Sequence, residues 1–130
     1  MTAIAFALAR FKVADLAGLE KFYTRALGFT VTTRADEGEG EQELHEIFLG
    51  LGGAQPQFAL IHYPNQPTPQ PGEAMVALIV DDLEATIAAV QAEGGRDVTG
   101  VIPVPEYKMK LAFVTDPEGH MIELMQMLGG

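Results

Sequence analysis

Residues 111–126, "LAFVTDPEGHMIELMQ", decide how this chain folds. Two apolar runs flank a Pro-Glu-Gly turn, as in a pair of adjacent strands joined by a tight corner. The second run carries one carboxylate, Glu123, with Met121 and Met125 on either side. A lone acid in the middle of an apolar strand needs an explanation.

Working outward, the segment before this hairpin has a counterpart earlier in the chain. "VADL" at 13–16 matches "VDDL" at 80–83. Val13 and Val80, Gly28 and Gly95, and Thr32 and Thr99 are each 67 residues apart. An offset shared by a strand end, a helix and the following strand points to a duplicated module. In the first copy Leu16, Leu19, Phe22, Tyr23 and Leu27 recur at helical spacing from Asp15, and Gly28 follows as a C-cap. In the second copy Leu83, Ile87 and Val90 repeat the pattern from Asp82 and close at Gly94-Gly95, with Asp81 and Glu84 placed for a variant capping box.

Strands are expected at 4–13, 29–34, 43–51 and 57–63, then at 74–80, 96–102, 109–115 and 120–126. The order is β-α-β-β-β twice, an α+β chain with internal modules of about 1–65 and 73–128. Residues 34–42, "RADEGEGEQ", read as a polar loop, and 63–73, "YPNQPTPQPGE", as the connector. One βαβββ half is too small for a good core, so 1–130 is expected to be a single domain.

Apolar residues make up 48% of the chain, which is globular composition, and there is no cysteine for a disulfide, a thiolate site or a thiol nucleophile. The net charge of −10 disfavours nucleic acid and anionic membrane as partners. The opening "MTAIAFALARFK" is too short for a membrane span and lacks a charged lead, so a cytoplasmic protein is expected.

"VADLAGLEKFYTRALGF" together with the closing "FVTDPEGHMIEL" resembles the vicinal oxygen chelate superfamily, across essentially the whole chain. Its members include glyoxalase I, extradiol dioxygenases, methylmalonyl-CoA epimerase and the bleomycin and fosfomycin resistance proteins. The resemblance implies a glyoxalase-like fold: two βαβββ modules whose mixed sheets curl around a small-molecule cavity, often in a homodimer. In metal-using relatives four ligands line that cavity, one from the first and one from the last strand of each module. The matching positions here are Leu8, Ala59 or Leu60, Met75 and Glu123. A hard or borderline divalent ion needs about three oxygen or nitrogen donors, so no metal is expected.

Strand alternation adds candidates. Phe6, Leu8, Arg10 and Lys12 share one face of the first strand, either as the charged mouth of a hollow or as side chains reaching solvent at a sheet edge. If Leu60 faces the cavity, so do Phe58 and His62; if Ala59 does, Ile61 and Tyr63 replace them. His45 is a candidate for the cavity rim, and His120 is expected in solvent at the hairpin corner. The resemblance to glyoxalase I places a basic ligand-carboxylate contact at Lys12, and Lys108 and Lys110 in "YKMKLAF" resemble its lysine-bearing approach to the last strands. Met75 and Met121 fall at cavity positions and suit an adaptable apolar pocket.

Two functions are therefore expected to compete. One is a metal-independent lyase or isomerase using Glu123 as acid or base on an anionic or thiol-conjugate substrate, with glutathione as a co-substrate and no other cofactor. The other is a non-catalytic protein that binds and sequesters a small molecule of the antibiotic type.

Overall fold

The computed structural model describes residues 2–53 and 55–129. The chain runs β1 (Ala9–Lys12), α1 (Leu16–Arg25), β2 (Thr30–Glu37), β3 (Leu44–Gly50), β4 (Phe58–His62), β5 (Met75–Ile79), α2 (Leu83–Ala92), β6 (Arg96–Asp97), β7 (Ile102–Val104), β8 (Met109–Thr115) and β9 (Met121–Met127). It is an α+β protein with the expected βαβββ order in the first half and one strand more, βαββββ, in the second. Two compact units form: the chain up to Glu20 with Gly28–Pro69, and Lys21–Leu27 with the chain from Gln70 onward.

Both helices start where an aspartate offers an acceptor. Asp15 Oδ1 takes the N–H of Gly18 at 3.0 Å, and Asp82 takes that of Ala85 at 3.1 Å. The cap of α2 is thus Asp82 rather than Asp81, and Glu84 turns instead to Lys110, whose Nζ lies 2.9 Å from both its oxygens. Gly28 (φ +77°) and Gly94 (φ +95°) follow the helices in the left-handed conformation that suits glycine.

The first unit holds a four-stranded sheet in the order β1-β4-β3-β2, with β1 parallel to β4 and the other pairs antiparallel. Its β1 is shorter than the alternation of residues 4–13 predicts. Only Ala9–Lys12 find partners, on Phe58–Ile61, and the segment before them has none; Ile4 is 98% exposed and Phe6 75%. One sheet face buries Phe11, Ile47, Leu49, Phe58 and Leu60, with the Phe11 and Phe58 rings edge-on at 5.2 Å.

In the second unit the order is β5-β9-β8-β6, with β7 also on β8 and β5 parallel to β9. The strand expected at 96–102 is broken into β6 and β7. Turn chemistry interrupts it: Asp97 accepts the N–H of Gly100 at 2.8 Å, and Thr99 Oγ1 accepts that of Phe113 at 3.0 Å. Ala112, Val114, Ile122 and Leu124 are fully buried on the face that carries α2, where Gln126 Oε1 accepts the N–H of Leu83 at 2.8 Å.

Close packing fixes Gly95. A Cβ there would sit 2.3 Å from the Thr115 carbonyl oxygen, 2.6 Å from Val90 Cγ1 and 2.9 Å from Phe22 Cε1. Gly95→Ala is therefore expected to destabilise the protein by about 1–3 kcal/mol, the usual cost of overpacking, read from the midpoint of urea unfolding. An unchanged midpoint would contradict this packing.

Candidate functional site

Residues paired across neighbouring strands point to the same side of a sheet, so the registers sort the candidates by face. In the second unit Ala77 lies opposite Glu123, Met75 opposite Met121 and Ile79 opposite Met125. On the other side of β9, Phe113 lies opposite Glu123, Leu111 opposite Met125 and Met109 opposite Met127. Glu123 thus sits at the centre of a face made of Met75, Met109, Met121, Met125 and Met127 with Leu111, Phe113 and Ile79. Every methionine of the chain apart from Met1 belongs to it. The face opposite α2 is open: Met75 is 57% exposed, Ile79 70% and Met127 51%.

Glu123 is half-buried, and its carboxylate has no ion pair or side-chain hydrogen bond among the described residues. Flexible, polarisable thioethers around a carboxylate make a surface that adapts to apolar ligands.

In the first unit the register sorts the candidates of β4 by face. Ala59 pairs with Arg10 and Ile61 with Lys12, so Ala59 and Ile61 share the face of the two cations. Phe58, Leu60 and His62 lie on the other face with Phe11, and the structure does not bring them together with Arg10 and Lys12 as one set. His62 Nδ1 donates to the Val13 carbonyl at 2.9 Å, a strand-end histidine tied to backbone. Leu8 precedes β1 and is half-exposed.

The cations on that face are not bare. Arg10 Nε pairs with Glu46, which is only 5% exposed, and this hydrogen bond holds the guanidinium above its ordinary pKa. Lys12 Nζ lies 5.5 Å from the centre of the Tyr63 ring, within cation–π range. Glu46 is the residue that strand alternation missed. Its signal is the one that singled out Glu123, an acid within an apolar run, but Glu43 and His45 beside it make "ELHEIF" look like an ordinary polar rim.

Lys108 and Lys110 part company. Lys110 is on the α2 face, bound to Glu84 and away from Glu123, and it lowers the carboxyl pKa of that glutamate. Lys108 occupies the turn before β8 at φ 51°, left-handed for a residue with a side chain.

The other two histidines are committed. His45 is held by Asp36 at 2.6 Å and Glu43 at 2.9 Å, and these bonds raise its pKa. His120 is a correction: it is 5% exposed rather than in solvent, with Nδ1 donating to Asp116 Oδ2 at 2.8 Å. The turn sequence hides this, because nothing in "DPEGH" shows that Asp116 reaches back under the hairpin. Among the described residues no group of three or more His, Cys, Asp or Glu side chains is placed to hold a metal ion, and no helix is long and apolar enough to cross a membrane.

The sequence pattern described as Glyoxalase/Bleomycin resistance protein/Dioxygenase superfamily matches residues 6–124. A Vibrio parahaemolyticus protein named "Probable lactoylglutathione lyase" is 35% identical over 120 residues, 88% of this chain and 85% of that one. The Haemophilus influenzae "Lactoylglutathione lyase" is 32% identical over 119 residues, 88% and 87% of the two chains. A crystal structure of a glyoxalase family protein from Bacillus cereus superposes with a TM-score of 0.85 at 19% identity, covering 99% of this chain and 97% of that one, a likeness of fold.

Proposed function

This chain belongs to the glyoxalase/bleomycin resistance protein/dioxygenase superfamily, and from that premise we propose that it is a metal-independent lyase or isomerase in which Glu123 moves the proton. The observation that carries the reading is the placement of Glu123, a carboxylate without an ion pair or side-chain hydrogen bond among the described residues, at the centre of a methionine-lined face. Relatives named lactoylglutathione lyase favour a thiol-conjugate substrate, with glutathione as the thiol. Such a conjugate carries carboxylates and is anionic.

The step asked of Glu123 is short. The carboxylate takes the proton from a carbon next to a carbonyl, and the C–H electron pair moves onto the carbonyl oxygen. In an isomerising α-hydroxy carbonyl substrate the hydroxyl proton passes to that oxygen, a new carbonyl forms on the first carbon, and the protonated acid gives its proton to the neighbouring carbon. In a lyase the carbonyl re-forms as the bond from the next carbon to the leaving group breaks, and the leaving group takes the proton. General acid–base catalysis of this kind contributes about 10²–10⁴-fold.

The donor set argues against routing the step through a metal. Of the positions matching the ligands of metal-using relatives, Glu123 offers a carboxylate, Met75 a thioether, and Leu8 and Ala59 or Leu60 nothing. Such a set does not fit a hard or borderline divalent ion. Protein purified without chelator is accordingly expected to contain far less than one equivalent of nickel, zinc, manganese or iron per subunit by plasma mass spectrometry. Stoichiometric metal would overturn this part of the reading.

A homodimer belongs to the same proposal. Ile4, Phe6, Met75 and Ile79 expose much apolar surface in the single chain, and association would cover it. So does a cytoplasmic location, where a thiol co-substrate stays reduced. The methionine face also favours a second reading, small-molecule sequestration without chemistry. Solvent-deuterium exchange on any glutathione conjugate or acyl thioester that raises the melting temperature separates the two: exchange supports the enzyme, and binding without exchange supports the binder.

A further inference from the structure

The first sheet holds an ion pair whose geometry has a use. Arg34 spends both terminal nitrogens on Glu20, Nη1 to Oε1 at 2.8 Å and Nη2 to Oε2 at 2.7 Å. Arg10 is held differently: its pairing with Glu46 runs through Nε, and its two terminal nitrogens have no partner among the described residues. The side chain of Arg10 remains 47% exposed while Glu46 is 5% exposed.

Burying a carboxylate against a guanidinium is costly, and an apolar residue at position 46 would serve packing as well or better. Glu46 lies on β3 opposite Ile61, beside the Ala59 and Phe48 positions, in surroundings that otherwise favour an alkyl group. What the carboxylate adds is direction. A guanidinium gripped at Nε cannot swing freely about its stem, so its remaining edge is presented in one orientation. Two parallel N–H donors on that edge match the two oxygens of a carboxylate.

We infer that Glu46 is a positioning residue, which fixes Arg10 at Nε so that the two terminal nitrogens form a fork for a carboxylate of an organic acid ligand. The inference rests on the proposed anionic substrate class but asks nothing of Glu123 and requires no turnover. Ala59 and Ile61 on the same face are buried, while Phe48 beside them is half-exposed and offers apolar surface to a carboxylate carried by a carbon skeleton rather than to an inorganic anion.

The test uses the full-length protein with 4-phenylbutyrate, 4-phenylbutyramide and S-hexylglutathione as probes, titrated calorimetrically. Arginine side-chain nitrogen NMR follows Arg10 in parallel. Wild type is expected to bind both acids and to show a protected Arg10 Nε–H. Glu46→Ala is expected to lose that signal and to bind the acids about tenfold more weakly or worse, with the amide unchanged. Glu46→Gln, which keeps an acceptor oxygen, should restore most of the affinity. Arg10→Lys, which keeps the charge without the fork, should lose it and provides the result if the Glu46 variants fail to fold.

Three results would overturn the inference: no preference of wild type for the acids over the amide, equal weakening of acids and amide in Glu46→Ala, or undiminished acid binding by Arg10→Lys. Acid binding that follows the expected pattern would leave the fork standing even where bound acyl thioesters show no solvent-deuterium exchange, the separate result that removes the lyase.

Discussion

Glu123→Gln is expected to slow proton exchange on a bound substrate by about 10²–10⁴-fold while leaving affinity within about threefold. Glutamine has the shape of glutamate and would occupy the same place on β9, between Ala77 of β5 and Phe113 of β8. It cannot accept the proton. Since Glu123 has no ion pair or side-chain hydrogen bond among the described residues, the change breaks nothing in the fold and the melting temperature should hardly move. Exchange kinetics under saturating ligand measure the loss directly. Exchange that survives unaltered in the variant would take Glu123 out of the chemistry.

The second large effect is structural. Asp116→Ala is expected to cost about 3–5 kcal/mol, because a buried charged acceptor leaves several donors without partners. Asp116 is 2% exposed. Its Oδ1 accepts the N–H groups of Glu118, Gly119 and His120 at 2.9, 3.0 and 3.1 Å. Its Oδ2 accepts the Tyr23 hydroxyl and His120 Nδ1, both at 2.8 Å. One side chain thus shapes the β8–β9 turn and ties it to the end of α1 that belongs to the same unit.

Burial and the nearby Asp116 charge push the Tyr23 hydroxyl well above the ordinary tyrosine range, so it remains a donor at any working pH. Tyr23→Phe removes the hydroxyl's bond to the charged Asp116 acceptor and should cost about 1.5–3 kcal/mol. Asp116→Ala should therefore lower the guanidinium unfolding midpoint further than Tyr23→Phe does. A surface-like effect of Asp116→Ala, under about 0.5 kcal/mol, would contradict this account of the turn.

The sequence made the helices and the module order legible because helical spacing and terminal aspartates act locally. Leu19, Phe22 and Tyr23, or Leu83, Ile87 and Val90, need no distant partner to declare a buried stripe. Strand limits are set elsewhere. Alternation runs through Ile4, Phe6 and Leu8, yet β1 ends where β4 stops offering partners.

The choice between Ala59 and Leu60 shows the same limit more sharply. A strand has a period of two, so a one-residue slip exchanges its faces, and only the register with Arg10 and Lys12 decides it. Glu123 could be placed because its strand carries no competing charge. Glu46 and the buried pair of His120 and Asp116 could not, since their partners lie 36 residues away in one case and are folded under a turn in the other.

Whether Glu123 works without a metal is tested most directly in one measurement: the rate of solvent-deuterium incorporation into a bound thiol conjugate by wild-type protein dialysed against chelator. Exchange at the undialysed rate, unaffected by adding back nickel or zinc, is the result expected of a free carboxylate base. Exchange that disappears with the chelator and returns with the metal would contradict it.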